Sequence, residues 1–293
     1  MTIREFLLDQ YAVLHNLKPR TVRLFTHSVD RLRDHLGREP ELTDLNDLTI
    51  SRYLRWRAVT PHRGRICAPA SVLKDKAHLC SLANSAAKRR LIEHFVDLPR
   101  NLVRVPHSPP AAYTLDEIRR LVSFARRRTG MVGPVPAALF WSTLIEACFY
   151  SGERIGSLLE LRWAQVDLDR GTLTFLSEHR KGLGRTITRH IPRQLVERLR
   201  MQQTAPTDRV WPWLDHRKEP TLYQRMNYMC RTAGITPHGF HGLRKAAGSY
   251  LKAGGGDATE FLTHRDSKTT REHYLDPRIV GEASALDFLP SLD

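Results

Sequence analysis

The chain has 293 residues, with 46 Lys and Arg against 31 Asp and Glu, a formal net charge of +15. Hydrophobic residues make up 41%, mean hydropathy is -0.41, and no stretch nears the roughly 18 uninterrupted apolar residues of a membrane span. The composition therefore argues against a membrane-spanning helix and predicts a soluble chain of about two domains, and the basic excess, dominated by Arg, predicts a polyanionic partner. The N-terminal stretch has no apolar signal core, which argues against secretion. The cysteines, Cys67, Cys80, Cys148 and Cys230, form no C-x-x-C pair and no zinc-finger spacing. They are expected to be reduced thiols with no structural metal.

The first domain, residues 1–105, reads as helical. Thr2-x-x-Glu5 is a capping box that opens an apolar stripe at Ile3, Phe6, Leu7 and Leu14. Pro19 starts a second helix, with Val22, Phe25, Val29, Leu32 and Leu36 on one face and Gly37 as its stop. Thr49 is the expected cap of a third, and a fourth is expected from Pro69 to Ile92. Lys74, Lys76, Lys88, Arg89 and Arg90 on this fourth helix are candidate contacts to a duplex backbone. An ordinary amphipathic bundle with solvated basic groups is the competing reading of this domain alone.

Residues 106–113 read as a linker, because Val105-Pro-His-Ser-Pro-Pro110 carries three prolines and no periodicity. Thr114-x-x-Glu117 is a second capping box and begins a domain over 114–293. There the pattern predicts an apolar helix over 134–150 and a break at Ser151-Gly152. A short helix from Arg154 to Leu161 follows. Strands are expected from Trp163, over Thr172–Leu176 and over Arg185–Ile191, then helices over 193–203, 221–233, 241–253 and 257–263.

Chemistry-bearing residues gather in this second domain. Ser-Gly-Glu-Arg154-Ile-Gly-Ser-Leu-Leu-Glu-Leu-Arg-Trp, His241-Gly-Leu-Arg244 and Thr263-His264-Arg-Asp-Ser-Lys-Thr-Thr-Arg-Glu-His-Tyr274 occur in that order, with Lys181 between the second and third expected strands. This set, in order and spacing, resembles the tyrosine recombinases of the phage-integrase family along the whole chain. The resemblance implies a mainly α fold. An N-terminal SAM-like helical core-binding domain would join a mostly helical catalytic domain with a small antiparallel sheet, the DNA breaking-rejoining fold, and the two would close around double-stranded DNA. It also implies site-specific recombination through a transient 3′-phosphotyrosine, with a homotetramer forming on paired sites and a cytoplasmic, nucleoid-associated location.

The residue types suit that chemistry. Phosphodiester cleavage builds charge on the non-bridging oxygens, which the Arg154 and Arg244 forks can clamp. His241 and Arg244, three apart, share a helix face. Tyr274 is the nucleophile; a phenol with a pKa near about 10 needs a proton acceptor, and His241 is the expected one. Lys181 is the expected acid for the leaving 5′ oxygen, with Arg180 and Arg185 competing for that place. His264 is expected to hydrogen-bond a phosphate oxygen. The linkage conserves the phosphodiester energy and the cations neutralise charge, so no ATP, metal or other cofactor is expected. The apolar tail residues Ile279, Val280, Leu286, Phe288, Leu289 and Leu292 are expected to dock on a neighbouring protomer.

Four departures stand out from the family pattern, one being that the stretch from Gly254 to His264 is shorter than in many members. Ser157 stands where an acidic residue is usual, with Glu153 or Glu160 as possible substitutes. Thr263 replaces the usual Gly before the closing His, and Lys245 follows H-x-x-R in place of the frequent His. The rival functions are a decayed recombinase that binds DNA without cutting it and a DNA-relaxing type IB-like topoisomerase.

Overall fold

A computed structural model of the chain describes residues 1–62, 64–106, 108–180 and 185–281. The fold is mainly helical, with small antiparallel sheets. It divides into two compact units, Met1–Ser108 and Pro109–Asp293. Among the described residues no helix is long and apolar enough to cross a membrane.

In the first unit the Thr2–Glu5 capping box forms: Glu5 N–H donates to Thr2 Oγ1 at 3.1 Å and Thr2 N–H to the Glu5 carboxylate at 2.8 Å. The helical stretch it opens runs through a π-helical segment, Phe6–Tyr11, to Leu14. Pro19–Leu36 ends at Gly37 in the left-handed region. Asn46, rather than Thr49, caps Asp47–Val59, with its side-chain oxygen accepting from Thr49 N–H at 2.9 Å. Pro69–Lys88 ends four residues before the expected Ile92, because Arg90 turns to φ 58 and Leu91 N–H closes back on the Ala86 carbonyl.

Ile3, Phe6, Val29, Leu32, Ile50, Tyr53, Leu79 and Leu82 form the fully buried centre of this unit. Buried Asp75 accepts from Ser28 Oγ at 2.7 Å, Tyr53 Oη at 2.9 Å and Arg57 Nε at 3.2 Å. Asp75→Ala would leave Arg57 buried without its counter-charge, and breaking such a pair typically costs about 3–5 kcal/mol. Denaturant unfolding of this unit should show a loss of that order; an unchanged midpoint would mean that water reaches Arg57.

The second unit is built around the apolar helix Ala137–Ser151, packed against Leu115–Arg126, Gly239–Ala253 and Arg193–Arg200. The helix begins three residues after the expected Pro134, because Met131–Val132 and Val135–Pro136 pair as a short antiparallel hairpin. The Thr114–Glu117 capping box forms as expected. The expected strand from Trp163 shrinks to Val166–Asp167, since Trp163–Gln165 turns as a 3-10 segment. This strand pairs with Thr172–Phe175, which pairs in turn with Ile187–His190, all antiparallel. The last helices among the described residues are Ala258–Leu262, Ser267–His273 and Pro277–Val280. All four cysteines are free thiols, and Cys148 lies in the core as expected.

Candidate active site

The site forms where the two breaks flanking Arg154 and His264 meet the first turn of Gly239–Ala253. Gly152 ends the central helix at φ 61, and a Cβ there would run into the Phe261 ring, so only glycine suits both the turn and the approach. The turn delivers Arg154 to the N-cap of Ile155–Leu159, half-buried. On the facing helix, Arg244 is 1% exposed. Its guanidinium donates to the Gly152 carbonyl and, at 2.6 Å, to the Leu262 carbonyl, while its buried Nε has no partner among the described residues. Arg244 thus ties the Arg154 turn to the segment before His264. Two of its nitrogens bond backbone oxygens, an arrangement that the fork-on-phosphate expectation did not include.

Tyr274, at the C-terminal end of Ser267–His273, is buried with 8% of its surface exposed. Its ring lies 4.2 Å from the His264 ring and 4.9 Å from that of His241, with the Arg244 guanidinium 5.5 Å from its centroid. Behind it, Ser249 Oγ donates to the Tyr274 carbonyl at 3.2 Å and accepts from Asp276 N–H at 2.9 Å. Arg154, His241, Arg244, His264 and Tyr274 are therefore one cluster. Lys181 lies outside the described residues. Of its competitors, Arg180 is engaged: its Nη2 donates to Glu153 at 3.1 Å and to Thr263 Oγ1 at 2.8 Å. Arg185 is exposed. Of the two candidate substitutes for the missing acidic residue, Glu153 sits beside Arg154 with its side chain 1% exposed, while Glu160 pairs with Arg209. Ser157 Oγ donates to the His179 carbonyl at 3.2 Å.

The hydrogen bonds settle the state of His264. Arg can only donate, so His264 Nε2, 3.3 Å from Arg244 Nη2, accepts, and Nδ1 carries the proton toward Thr270 Oγ1 at 2.8 Å. Its pKa is lowered to about 4 by burial and by Arg244 and Arg154. His241 is also lowered to about 4, by desolvation under its neighbours and then by Lys245, Arg244 and Arg154. Values near 4 leave both rings neutral near pH 7. Burial and the nearby Arg154 lower Arg244 itself, while Glu153 and Tyr274 support its charge.

These shifts fix a direction for stability. Between the unfolded value near 6.5 and the folded value near 4, the unfolded chain binds more protons, so stability falls as pH falls through that window and is fully present above it. The melting temperature should drop from pH 7 to pH 5, and His264→Gln should flatten the drop. An equal slope in that variant would place the linkage elsewhere.

The basic residues singled out in the first unit differ in availability. Lys74, Lys88 and Arg90 are exposed. Lys76 Nζ donates to the Pro99 carbonyl at 2.6 Å, and Arg89 caps its own helix end on Ser85 at 2.9 Å and 2.7 Å.

Sequence reasoning missed Thr270, which orients His264, and Ser249, which holds the Tyr274 backbone. Thr270 carried a faint signal as a hydroxyl six residues after the closing His; Ser249 carried none.

A profile of the Phage integrase family matches residues 112–279, more than half of the chain. The chain belongs to the phage integrase family. A protein of Pseudomonas aeruginosa described as tyrosine recombinase XerC is 23% identical over 183 residues, covering 60% of this chain and 42% of that protein. The chain thus spans less than half the length of this curated relative. Among solved structures, the Tn1549 transposon integrase in complex with transposon right end DNA aligns with a TM-score of 0.69 at 12% identity over 97% of this chain and 96% of that one. A lambda integrase tetramer bound to a Holliday junction aligns at 0.65 and 16%, over 97% and 81%. XerH bound to palindromic difH substrate aligns at 0.64 and 15%, over 87% and 76%. Likeness at such identities establishes a shared fold, which here takes in both units of this integrase-family chain.

Proposed function

We propose that the chain is a site-specific DNA recombinase in which Tyr274 attacks a backbone phosphate. The carrying observation is the packing of the Tyr274 ring against the His241 and His264 imidazoles, beside the buried Arg244 guanidinium. The phenolic oxygen bonds to phosphorus, its proton passes to His241 Nε2 or Nδ1, and the 5′ oxygen departs with a proton from Lys181. Arg154 and Arg244 neutralise the non-bridging oxygens, with Arg244 using hydrogens not engaged by Gly152 and Leu262. His264 Nε2 accepts from Arg244. It can donate to a phosphate only after its proton moves from Nδ1 or a second proton is gained. The positive charge of these side chains suffices for neutralisation, so a chelator is expected to leave the rate unchanged. A denaturing gel of a nicked duplex incubated with protein and chelator tests this reading by its DNA-shifted band.

The partner is double-stranded DNA, and of the five basic residues singled out in the first unit the exposed Lys74, Lys88 and Arg90 would meet it. Neutralising several phosphates predicts a log–log salt slope of about -0.9 per phosphate. A near-flat affinity between low and moderate salt would mean that the basic surface does not meet the backbone.

The assembly is a homotetramer on paired sites, with the C-terminal tail on a neighbour. Ile279 packs on the core of its own unit, and Arg278 donates to the Ala112 carbonyl at 3.0 Å, so the exchanged part begins after Gly281. Leu286, Phe288, Leu289 and Leu292 lie outside the described residues. Truncation after Gly281 should leave single-site binding intact and impair assembly on paired sites; normal recombination by the truncated chain would make the tail dispensable.

A further inference from the structure

Thr263 is a β-branched residue at φ 53 and ψ 44, a left-handed conformation that glycine adopts freely and a branched side chain does not. Among the described residues only Asn16 and Arg90 share a positive φ without being glycine. What the Thr263 side chain gains there is a hydrogen bond from Arg180 Nη2 at 2.8 Å. Nη2 of that guanidinium also donates to Glu153 Oε1 at 3.1 Å, and Nη1 donates to the Arg185 carbonyl at 2.7 Å. Arg189, on the strand Ile187–His190, approaches the same Glu153 oxygen at 3.8 Å. It also donates to the Phe261 carbonyl and lies over the Phe261 ring, 4.6 Å from its centroid. One buried carboxylate and two arginines therefore join Arg180, beyond strand Thr172–Phe175, to its hairpin partner Ile187–His190, to the turn bearing Arg154, and to the end of Ala258–Leu262 that leads into His264.

We infer that Thr263 is a positioning residue: its hydroxyl, through Arg180 and Glu153, holds the hairpin, the Arg154 turn and His264 in register for attack by Tyr274. The inference rests on the recombinase reading above. Backbone strain persists where the surroundings over-determine it, and it gathers at functional sites. Here glycine would relieve the strain and lose the side-chain bond that crosses from the His264 segment to Arg180. Arg180, beside Lys181 in sequence, is thereby committed to structure rather than to proton donation.

The test compares Thr263→Gly, Thr263→Ser, Arg180→Gln and the Thr263→Gly, Arg180→Gln double variant. The substrate is a nicked duplex carrying the sequence that wild-type protein captures covalently in cells. Thr263→Gly should melt at or above the wild-type temperature and bind the duplex unchanged, yet form the covalent adduct about 10- to 100-fold more slowly in single turnover, as expected for small misplacement of reacting groups. Thr263→Ser keeps the hydroxyl and should cleave near the wild-type rate. The double variant should be no slower than Arg180→Gln alone, because both changes break one connection. A wild-type rate in Thr263→Gly, an equal loss in Thr263→Ser, a lowered melting temperature in Thr263→Gly, or losses that multiply in the double variant would each overturn the inference. Absence of an adduct with wild-type protein would instead remove the recombinase reading, and the inference with it.

Discussion

Tyr274→Phe should bind DNA as tightly as the wild-type protein and form no covalent adduct at all. The substitution removes one oxygen and keeps the ring, which is what packs against His241 and His264 at 4.9 Å and 4.2 Å. The Tyr274 backbone is held independently by Ser249, so the fold has no reason to change. Two other tyrosines of the second unit are engaged elsewhere: Tyr250 Oη accepts from Leu115 N–H at 2.9 Å, and Tyr223 Oη lies 3.3 Å from a Glu219 carboxylate oxygen. Electrophoretic mobility gives the binding arm and a denaturing gel the covalent arm. An adduct that survives in the variant would move the nucleophile away from Tyr274.

Arg154→Ala and Arg244→Ala should each slow cleavage by about 10²–10³, the usual effect of removing one donor aimed at developing charge. The two should differ in what else they do. Arg154 is half-buried at a helix start, and its loss should leave the melting temperature nearly unchanged. Arg244 is 1% exposed and bonds two backbone carbonyls across the site, so its loss leaves buried acceptors unmet and should destabilise the unit as well. Single-turnover rates beside thermal melts separate the effects. Equal melting temperatures with unequal rates would show that the Arg244 carbonyl contacts contribute little to the fold.

The parts of this molecule that were legible in its sequence are those whose physics is local. Both capping boxes, at Thr2 and Thr114, need only residues three apart, and both formed. Pro19 and Pro69 start their helices and Gly37 stops one, because fixed or permissive φ acts at a single residue. His241 and Arg244 share a face by helical spacing alone. Expectations faltered where two local signals competed. Asn46 outcompeted Thr49 as a cap because its side-chain oxygen reaches the third N–H of the turn. Pro136 and the Met131–Val132 pairing delayed the central helix, and the 3-10 turn at Trp163–Gln165 took most of an expected strand. The supporting groups of the site were not legible, because they are joined across the chain. Glu153 meets Arg180 and Arg189, Arg180 meets Thr263, and no periodicity records such partners. The departures from the family pattern were visible as single residues, yet what Thr263 and Glu153 do emerged only from their contacts.

The most direct measurement is recovery of the wild-type protein from cells under denaturing conditions, nuclease digestion, and mass spectrometry of the Tyr274 peptide, with sequencing of the attached DNA. The account predicts a nucleotide joined through its 3′ phosphate to Tyr274 and DNA ends that cluster at one sequence. A protein free of DNA, or a nucleotide carried on a different residue, would contradict it.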